Sequence, residues 1–186
     1  MLYSHLHDPI RHLDFTPEYQ QSRLFGNAPK EIIDIFANPN NPVTMNNHMW
    51  GVSPEDFSRN ANLTNFYRVL SYNLDRQNKK FISTIEGSLQ LLRGVKYAQF
   101  TLYPLNPGKS VPIYGLQWHP EKNNFEWHPK AGINHTPEGI LATQYMANFF
   151  VNEARKNFHS FPSYEEESRA LIYNYSPVCK PFRACG

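Results

Sequence analysis

The decapeptide Ile113–Lys122, which reads Ile-Tyr-Gly-Leu-Gln-Trp-His-Pro-Glu-Lys, constrains this chain more than any other stretch. Its first six residues are mostly apolar and favour β-structure, which predicts a strand buried on both faces of a sheet. Pro120 has no backbone N–H and restricts the residue before it, so we expect the strand to end at His119. The pattern therefore predicts a histidine at the carboxyl end of a strand, where open α/β sheets place their sites.

Glu121 follows this histidine by two residues. A carboxylate at that distance can accept a hydrogen bond from the imidazole of His119 and so fix its tautomer and orientation. The spacing predicts a proton-transfer pair. The tripeptide alone is equally compatible with a surface histidine in a strand-to-loop turn.

The five residues Gln117–Glu121 carry a more specific signal, because they resemble the histidine motif of class I glutamine amidotransferase-like hydrolases. The family that this chain resembles most closely is γ-glutamyl hydrolase, the folate polyglutamate hydrolase. The resemblance runs from about Leu13 to Pro177. Four further blocks support it: Gln21–Phe25, Phe81–Gly87, Phe149–Asn157 and Ala170–Tyr173.

The resemblance implies a fold and a reaction. The implied fold class is α/β and class I glutamine amidotransferase-like, a flavodoxin-like three-layer α/β/α sandwich, here incomplete at the N-terminal side. The implied reaction is thiol-dependent hydrolysis of γ-glutamyl bonds in folylpoly-γ-glutamates, with His119 as proton donor and acceptor and Glu121 orienting it. The family further implies no cofactor, a homodimer, and a lysosomal, vacuolar or secreted location.

A second histidine, His48, lies in the stretch Val43–Val52, which we predict to be a strand. The resembling family has His-x-Trp at this place, which implies that His48 touches substrate or assists proton transfer and that Trp50 contacts substrate. Lys122, beside Glu121, is a candidate for binding the glutamate tail. The alternative for His48 is a polar strand residue satisfied by a neighbour.

The nucleophile that this chemistry requires is missing from the sequence. In the resembling family it is a cysteine in a Gly-x-Cys-x-Gly turn, before the segment that matches Leu13, and this chain has no such motif. Its cysteines, Cys179 and Cys185, lie in a proline-containing tail and are either a small disulfide loop or two free thiols. We therefore expect a fragment of an enzyme. The alternatives are a noncatalytic paralogue that binds folates or pairs with a full-length partner, and a product that does not fold alone.

The rest of the chain is predicted to form a single partial domain whose helices and strands pack around the site. Residues 88–109 match nothing in the family and are expected to form a loop, and residues 178–186 a loose tail. Local patterns predict a strand near His12–Phe15, a helix from Ser53, an edge hairpin of Phe66–Asn73 and Lys80–Ile85, a helix from Pro137 to about Asn157, a turn at Glu165–Glu167 and a last strand at Leu171–Tyr175.

Charge and hydropathy exclude several partners. With 18 basic and 16 acidic residues the formal net charge is +2, too balanced for nucleic acid or an anionic membrane surface. No apolar run approaches the roughly 20 residues of a membrane span, and the first residues have no signal-peptide pattern. Three Asn-x-Ser/Thr sequons, at Asn62, Asn134 and Asn174, are compatible with a secretory route.

A metal site is the alternative to the hydrolase site. Its ligands would be His119, His128 and His135, with Glu121 or Glu126 as the fourth. These spacings are irregular and match no compact zinc pattern, so no metal is expected.

Overall fold

The computed structural model describes residues 2–3, 10–87, 112–127 and 132–176. It divides into two compact units, Met1–Glu153 and Ala154–Gly186. The expected loop at 88–109, the tail from residue 178, both cysteines and His128 lie outside the described residues. The single partial domain stays a prediction.

Short strands and helices alternate along the described part of the chain. The strands are β1 (Leu2–Tyr3), β2 (Ile10–Arg11), β3 (Asp14–Phe15), β4 (Thr44–Met45), β5 (Trp50–Gly51), β6 (Tyr67–Leu74), β7 (Lys80–Gly87) and β8 (Tyr114–Leu116). The α-helices are α1 (Lys30–Ala37), α2 (Pro54–Arg59), α3 (Ala61–Thr64), α4 (Lys122–Phe125), α5 (Pro137–Ala154) and α6 (Tyr164–Ala170), with 3₁₀ turns at Pro17–Gln21 and Ile172–Asn174.

A four-stranded sheet in the order β3-β6-β7-β8 forms the centre of the first unit. Its inner pair is the predicted hairpin, in which Tyr67 pairs with Gly87 and Leu74 with Lys80. The carboxylate of Asp75 closes the hairpin turn by accepting from the backbone amides of Gln77 and Lys79, each over 2.8 Å. The hairpin was expected at an edge of the sheet, and that expectation is wrong because β3 and β8 flank it.

Strand β8, which leads to His119, is shorter and more exposed than predicted. It pairs antiparallel with β7 through three residues, and all three are half-buried. The expectation of a strand buried on both faces is therefore wrong. An apolar run of this length has the same local pattern in an inner and in an outer strand, so only the tertiary pairing distinguishes them. The described strand pairs are all antiparallel, in a fold that mixes helices and sheets.

The apolar core packs on one face of this sheet under α1 and α5. A row of aromatic rings crosses it, with centroids 5.1 Å apart from Phe15 to Phe25, 5.9 Å from Phe25 to Phe36 and 5.4 Å from Phe36 to Trp118. Tyr145 of α5 donates its hydroxyl to the Leu24 carbonyl over 2.6 Å. Trp118, the residue directly before His119, is therefore held in the centre of the core by its contact with Phe36. The other buried members are Leu13, Leu24, Ile32, Val43, Leu70, Ala142 and Met146.

Two predicted helix starts are confirmed by their caps. The Ser53 hydroxyl accepts from the Asp56 amide over 3.0 Å, and the Thr136 hydroxyl accepts from the Gly139 amide over 3.2 Å. Helix α5 ends at Ala154, close to the expected end. The predicted strand Val43–Val52 is instead two short strands, β4 and β5, with no strand pairing assigned to the four residues between them.

In the second unit the sequence pattern was misleading. The predicted turn Glu165–Glu167 is the first turn of α6, where three carboxylates face the positive end of the helix and Ser163 caps it. The predicted strand Leu171–Tyr175 is a 3₁₀ turn, Ile172–Asn174, because Asn174 donates its side-chain amide to the carbonyls of Ser168 and Arg169. Within the described ranges, no helix has the length and apolarity needed to cross a bilayer.

Candidate active site

The segment after β8 leaves the four-stranded sheet and forms a hydrogen bond with β4, which belongs to the two-stranded sheet of β2 and β4. The Gln117 amide still donates to the Ser83 carbonyl of β7 over 2.8 Å, whereas the His119 amide donates to the Met45 carbonyl of β4 over 2.8 Å. Between them, Trp118 is buried, and its indole N–H donates to the Thr84 hydroxyl over 3.3 Å. These contacts hold the two residues before His119 against β7 and tie the His119 amide to β4.

His119 and Glu121 are in hydrogen-bond contact. Nδ1 of the ring lies 2.9 Å from Oε1 of the carboxylate, and the two side chains are 35% and 64% exposed. Because a carboxylate accepts, this contact favours the proton on Nδ1 and directs the Nε2 lone pair away from the pair. A half-exposed imidazole held in this way can take up and return a proton at Nε2. The catalytic roles of both residues stay predictions.

His48 lies in the same site, between β4 and β5. Its Nδ1 is 2.9 Å from the Trp50 carbonyl, its Nε2 is 3.2 Å from Oδ1 of Asn46, and its ring packs edge-on against Phe81 at 5.2 Å. Burial lowers the pKa of His48 below its ordinary value, the Trp50 carbonyl acts in the opposite direction, and the charge of His119 lowers the pKa further. The two imidazoles therefore influence each other electrostatically.

The two candidate substrate contacts differ in their surroundings. The Trp50 side chain is about half exposed. Lys122 is buried, and its ammonium group is paired with the carboxylate of Glu126 one turn along α4. This ion pair gives Lys122 a structural role at the start of α4, and contact of either residue with substrate stays a prediction.

Two buried asparagines support the site and were missed from the sequence. Asn46 precedes His48 by two residues, and its side-chain amide donates to the Thr44 carbonyl over 3.2 Å. Asn123 follows Glu121 by two residues and donates to the carbonyls of Val43 and Asn134 over 3.0 and 2.8 Å. Their signal in the sequence is an amide side chain next to a candidate histidine or carboxylate, in segments that must be buried.

His135, one of the candidate metal ligands, has other contacts in the structure. His135 places Nδ1 2.7 Å from the Asn123 carbonyl and stacks on Trp127, with 3.8 Å between the ring centroids. Across the segments that the structure describes, no three His, Cys, Asp or Glu side chains are grouped as metal ligands would be.

An open cavity of about 190 Å³ lies beside the site on the sheet. It is mostly apolar and extends to Gln117, two residues before His119, with Ser83 as a further polar group in its wall. Such a cavity can hold an apolar ring next to a few polar contacts. The apolar residues that line it are Val52, Phe57, Leu63, Ile82, Ile85 and Leu116, with the backbone of Gly115.

Several known proteins align with most of this chain. Over 166 residues, which are 89% of the chain, it is 42% identical to γ-glutamyl hydrolase of Homo sapiens and 40% identical to γ-glutamyl hydrolase B of Dictyostelium discoideum. Over the same length it is 35% identical to the probable γ-glutamyl hydrolase 3 of Arabidopsis thaliana.

The aligned part is less than half of each relative: 45% of the human protein, 41% of the Dictyostelium protein and 40% of the Arabidopsis protein. A scan against protein-family models finds no match. At these identities, sustained over nearly nine-tenths of its residues, the chain is a homologue of the γ-glutamyl hydrolases.

Proposed function

We propose that this chain carries the proton-transfer side of a γ-glutamyl hydrolase site. The observation that supports the proposal most directly is the contact of 2.9 Å between Nδ1 of His119 and Oε1 of Glu121. It leaves Nε2 as the proton-accepting atom, as nucleophilic catalysis at an amide requires. His48 lies close enough for the charge of His119 to affect it.

In the proposed reaction, Nε2 of His119 takes the proton of a cysteine thiol. The thiolate attacks the γ-glutamyl carbonyl carbon, and the same proton passes to the nitrogen of the departing glutamate as the C–N bond breaks. Water then loses a proton to His119 and attacks the thioester, and the thiol leaves with that proton. Glu121 holds the ring in one tautomer throughout.

The thiol is proposed to come from a Gly-x-Cys-x-Gly turn in a longer protein, as the resemblance implies, because no such turn occurs among these 186 residues. The class I glutamine amidotransferase-like sandwich, the folylpoly-γ-glutamate substrate, the homodimer and the lysosomal, vacuolar or secreted location are part of the same proposal. The mixed helices and antiparallel sheet of the described chain are compatible with that fold.

A chimera tests the proposal. The segment of the human γ-glutamyl hydrolase that aligns with this chain is replaced by this chain, and release of glutamate from a folyl-γ-diglutamate is measured. We expect hydrolysis in the chimera and a loss of about 10²–10⁴-fold in kcat for His119→Asn.

The chain offers a matched control. His12 also contacts a carboxylate two residues on, with Nε2 3.1 Å from Oδ1 of Asp14, but it lies beside β3. His12→Asn is expected to keep the rate of the chimera. Equal losses in the two variants would contradict the proposal. A folded chimera that binds the folate without turnover would favour the noncatalytic folate-binding alternative.

A further inference from the structure

The carboxamide of Asn46 has a fixed orientation. Its nitrogen donates to the Thr44 carbonyl over 3.2 Å, and the side chain is fully buried. The opposite orientation would place two oxygen atoms against each other, so Thr44 determines which end of the amide faces His48. The end that faces His48 is the oxygen, Oδ1, at 3.2 Å from Nε2.

His48 therefore lies between two hydrogen-bond acceptors. Its Nδ1 faces the Trp50 carbonyl at 2.9 Å, and its Nε2 faces Asn46 Oδ1 at 3.2 Å. A neutral imidazole has a single N–H, so one of its nitrogens would present a lone pair to an oxygen. The imidazolium form carries two N–H groups and satisfies both acceptors.

Two influences oppose the charged form of His48. Burial under the Phe81 ring removes water from the imidazole, and the positive charge of His119 repels a second positive charge nearby. His119, which is paired with Glu121, is a titratable group whose charge acts on His48. The proton affinity of His48 is set by the balance between these two influences and the two acceptors.

We propose that Asn46 is a positioning residue that accepts a hydrogen bond from Nε2 of His48 once that nitrogen is protonated, so that a proton taken up there is held by Asn46 instead of being delivered to substrate. The Trp50 contact is the shorter one, so the neutral ring keeps its N–H on Nδ1 and the added proton goes to Nε2. Protonation of His48 then disfavours protonation of His119. The consequence for hydrolysis rests on the proposed function, whereas the hydrogen bonding does not.

The test is an NMR titration of the ring nitrogens of His48 in the 186-residue chain, assigned by their loss in His48→Gln. Asn46→Asp places a negative charge at Nε2 and is expected to raise the midpoint above that of the wild type. Asn46→Ala removes the acceptor and is expected to lower the midpoint. Asn47→Ala, at the exposed neighbouring asparagine, is the control and is expected to leave the midpoint unchanged.

Equal midpoints in the Asp, Asn and Ala forms, or shifts in the same direction for Asp and Ala, would overturn the proposal. The wild-type chain provides a test that does not depend on whether the variants fold. In its titration, the ring nitrogen whose signal shifts on acidification is expected to be Nε2. A proton gained at Nδ1 would overturn it. Loss of hydrolysis in every chimera would reject the proposed function and leave this titration result unaffected.

Discussion

The backbone of His119 is tied to Met45, because its amide donates to the Met45 carbonyl over 2.8 Å. This bond joins the segment after β8 to β4, three residues before His48. Each histidine is oriented by its own neighbours, Glu121 in one case and Asn46 with Trp50 in the other. The site is therefore built from two separately oriented rings joined by one backbone hydrogen bond.

The first prediction concerns the tautomer of His119. Because the Glu121 carboxylate accepts from Nδ1, the neutral ring should carry its proton there, and Glu121→Ala should release this preference. Glu121→Gln keeps a side-chain oxygen acceptor and should retain it. The ¹⁵N chemical shifts of the His119 ring nitrogens measure the tautomer directly. Identical shifts in the wild type and in the Ala variant would show that Glu121 does not orient the ring.

The second prediction concerns the pH dependence of stability. The pKa of His48 is lowered in the folded chain from its ordinary 6.5, chiefly by burial, so the unfolded chain binds more protons as the pH falls below 6.5. The contribution of His48 to the free energy of unfolding is therefore fully present above pH 6.5 and is lost as the pH falls toward the folded pKa.

Urea unfolding at a pH above 6.5 and at a lower pH measures this effect. The wild type should lose more stability on acidification than His48→Gln does. His12→Gln keeps His48. The part of the loss in the free energy of unfolding on acidification that is due to His48 should therefore remain in this variant. A larger loss on acidification in His48→Gln than in the wild type would reverse the sign and reject the assignment.

The third prediction concerns Glu86, a fully buried carboxylate in β7. Its Oε2 accepts from the amides of Arg23 and Leu24 over 3.0 and 3.1 Å. Glu86→Ala leaves both amides without this acceptor, at a cost to the free energy of unfolding of about 1–3 kcal/mol for each buried amide. Glu31→Ala, at an exposed site in the first turn of α1, should change stability by less than about 0.5 kcal/mol. Similar unfolding midpoints for the two variants would contradict this reading of Glu86.

The fourth prediction concerns the close approach of β7 and β8 at Gly115. A Cβ atom at this position would lie 2.7 Å from Cγ1 of Ile85, so Gly115→Ala forces a shift that should cost about 1–3 kcal/mol. Ile85→Ala removes the clashing atoms. In that background Gly115→Ala should cost much less, and a double-mutant cycle by urea unfolding measures the difference. Additive effects would show that the two positions do not clash.

The fifth prediction concerns the sequons. The Asn134 side-chain amide donates to Oδ1 of Asn41 and to the Pro42 carbonyl over 2.9 and 2.8 Å, and that of Asn174 is bonded to two carbonyls at the end of α6. Asn62 is exposed in α3. If the chain is directed through a eukaryotic secretory pathway, we expect the folded, secreted protein to carry its glycan on Asn62.

Mass spectrometry of site occupancy, with and without glycosidase treatment, tests this expectation. Asn62→Gln should abolish the mobility shift of the secreted protein. A glycan on Asn134 in a folded product would contradict the assignment, because its attachment replaces one of the two N–H groups that donate to Asn41 and Pro42.

Sequence alone predicted those parts of the site that depend on neighbouring residues. The close spacing of His119 and Glu121 is a local property, and the structure places the two side chains in contact. The caps at Ser53 and Thr136 are local in the same way, because a hydroxyl there reaches amides within one helical turn.

The parts that sequence did not predict depend on distant residues. The position of β8 in the sheet depends on its pairing with β7, and the orientation of His48 on a buried asparagine held by β4. Nothing in the local pattern of Tyr114–Leu116 distinguishes an outer from an inner strand. The sequence places the amide side chain of Asn46 near His48 but does not identify the carbonyl that orients it.

Trp118 has no chemical role in the site, but it affects which side chain of its segment is exposed there. Neighbouring residues of an extended segment point to opposite sides, so a slip of one position where this segment meets β7 would send the imidazole of His119 inward and expel the indole. The space beside Phe36 admits the indole, and the Thr84 hydroxyl meets its N–H. A residue that takes no part in any proton transfer thus determines which side chain of this segment is exposed for the reaction.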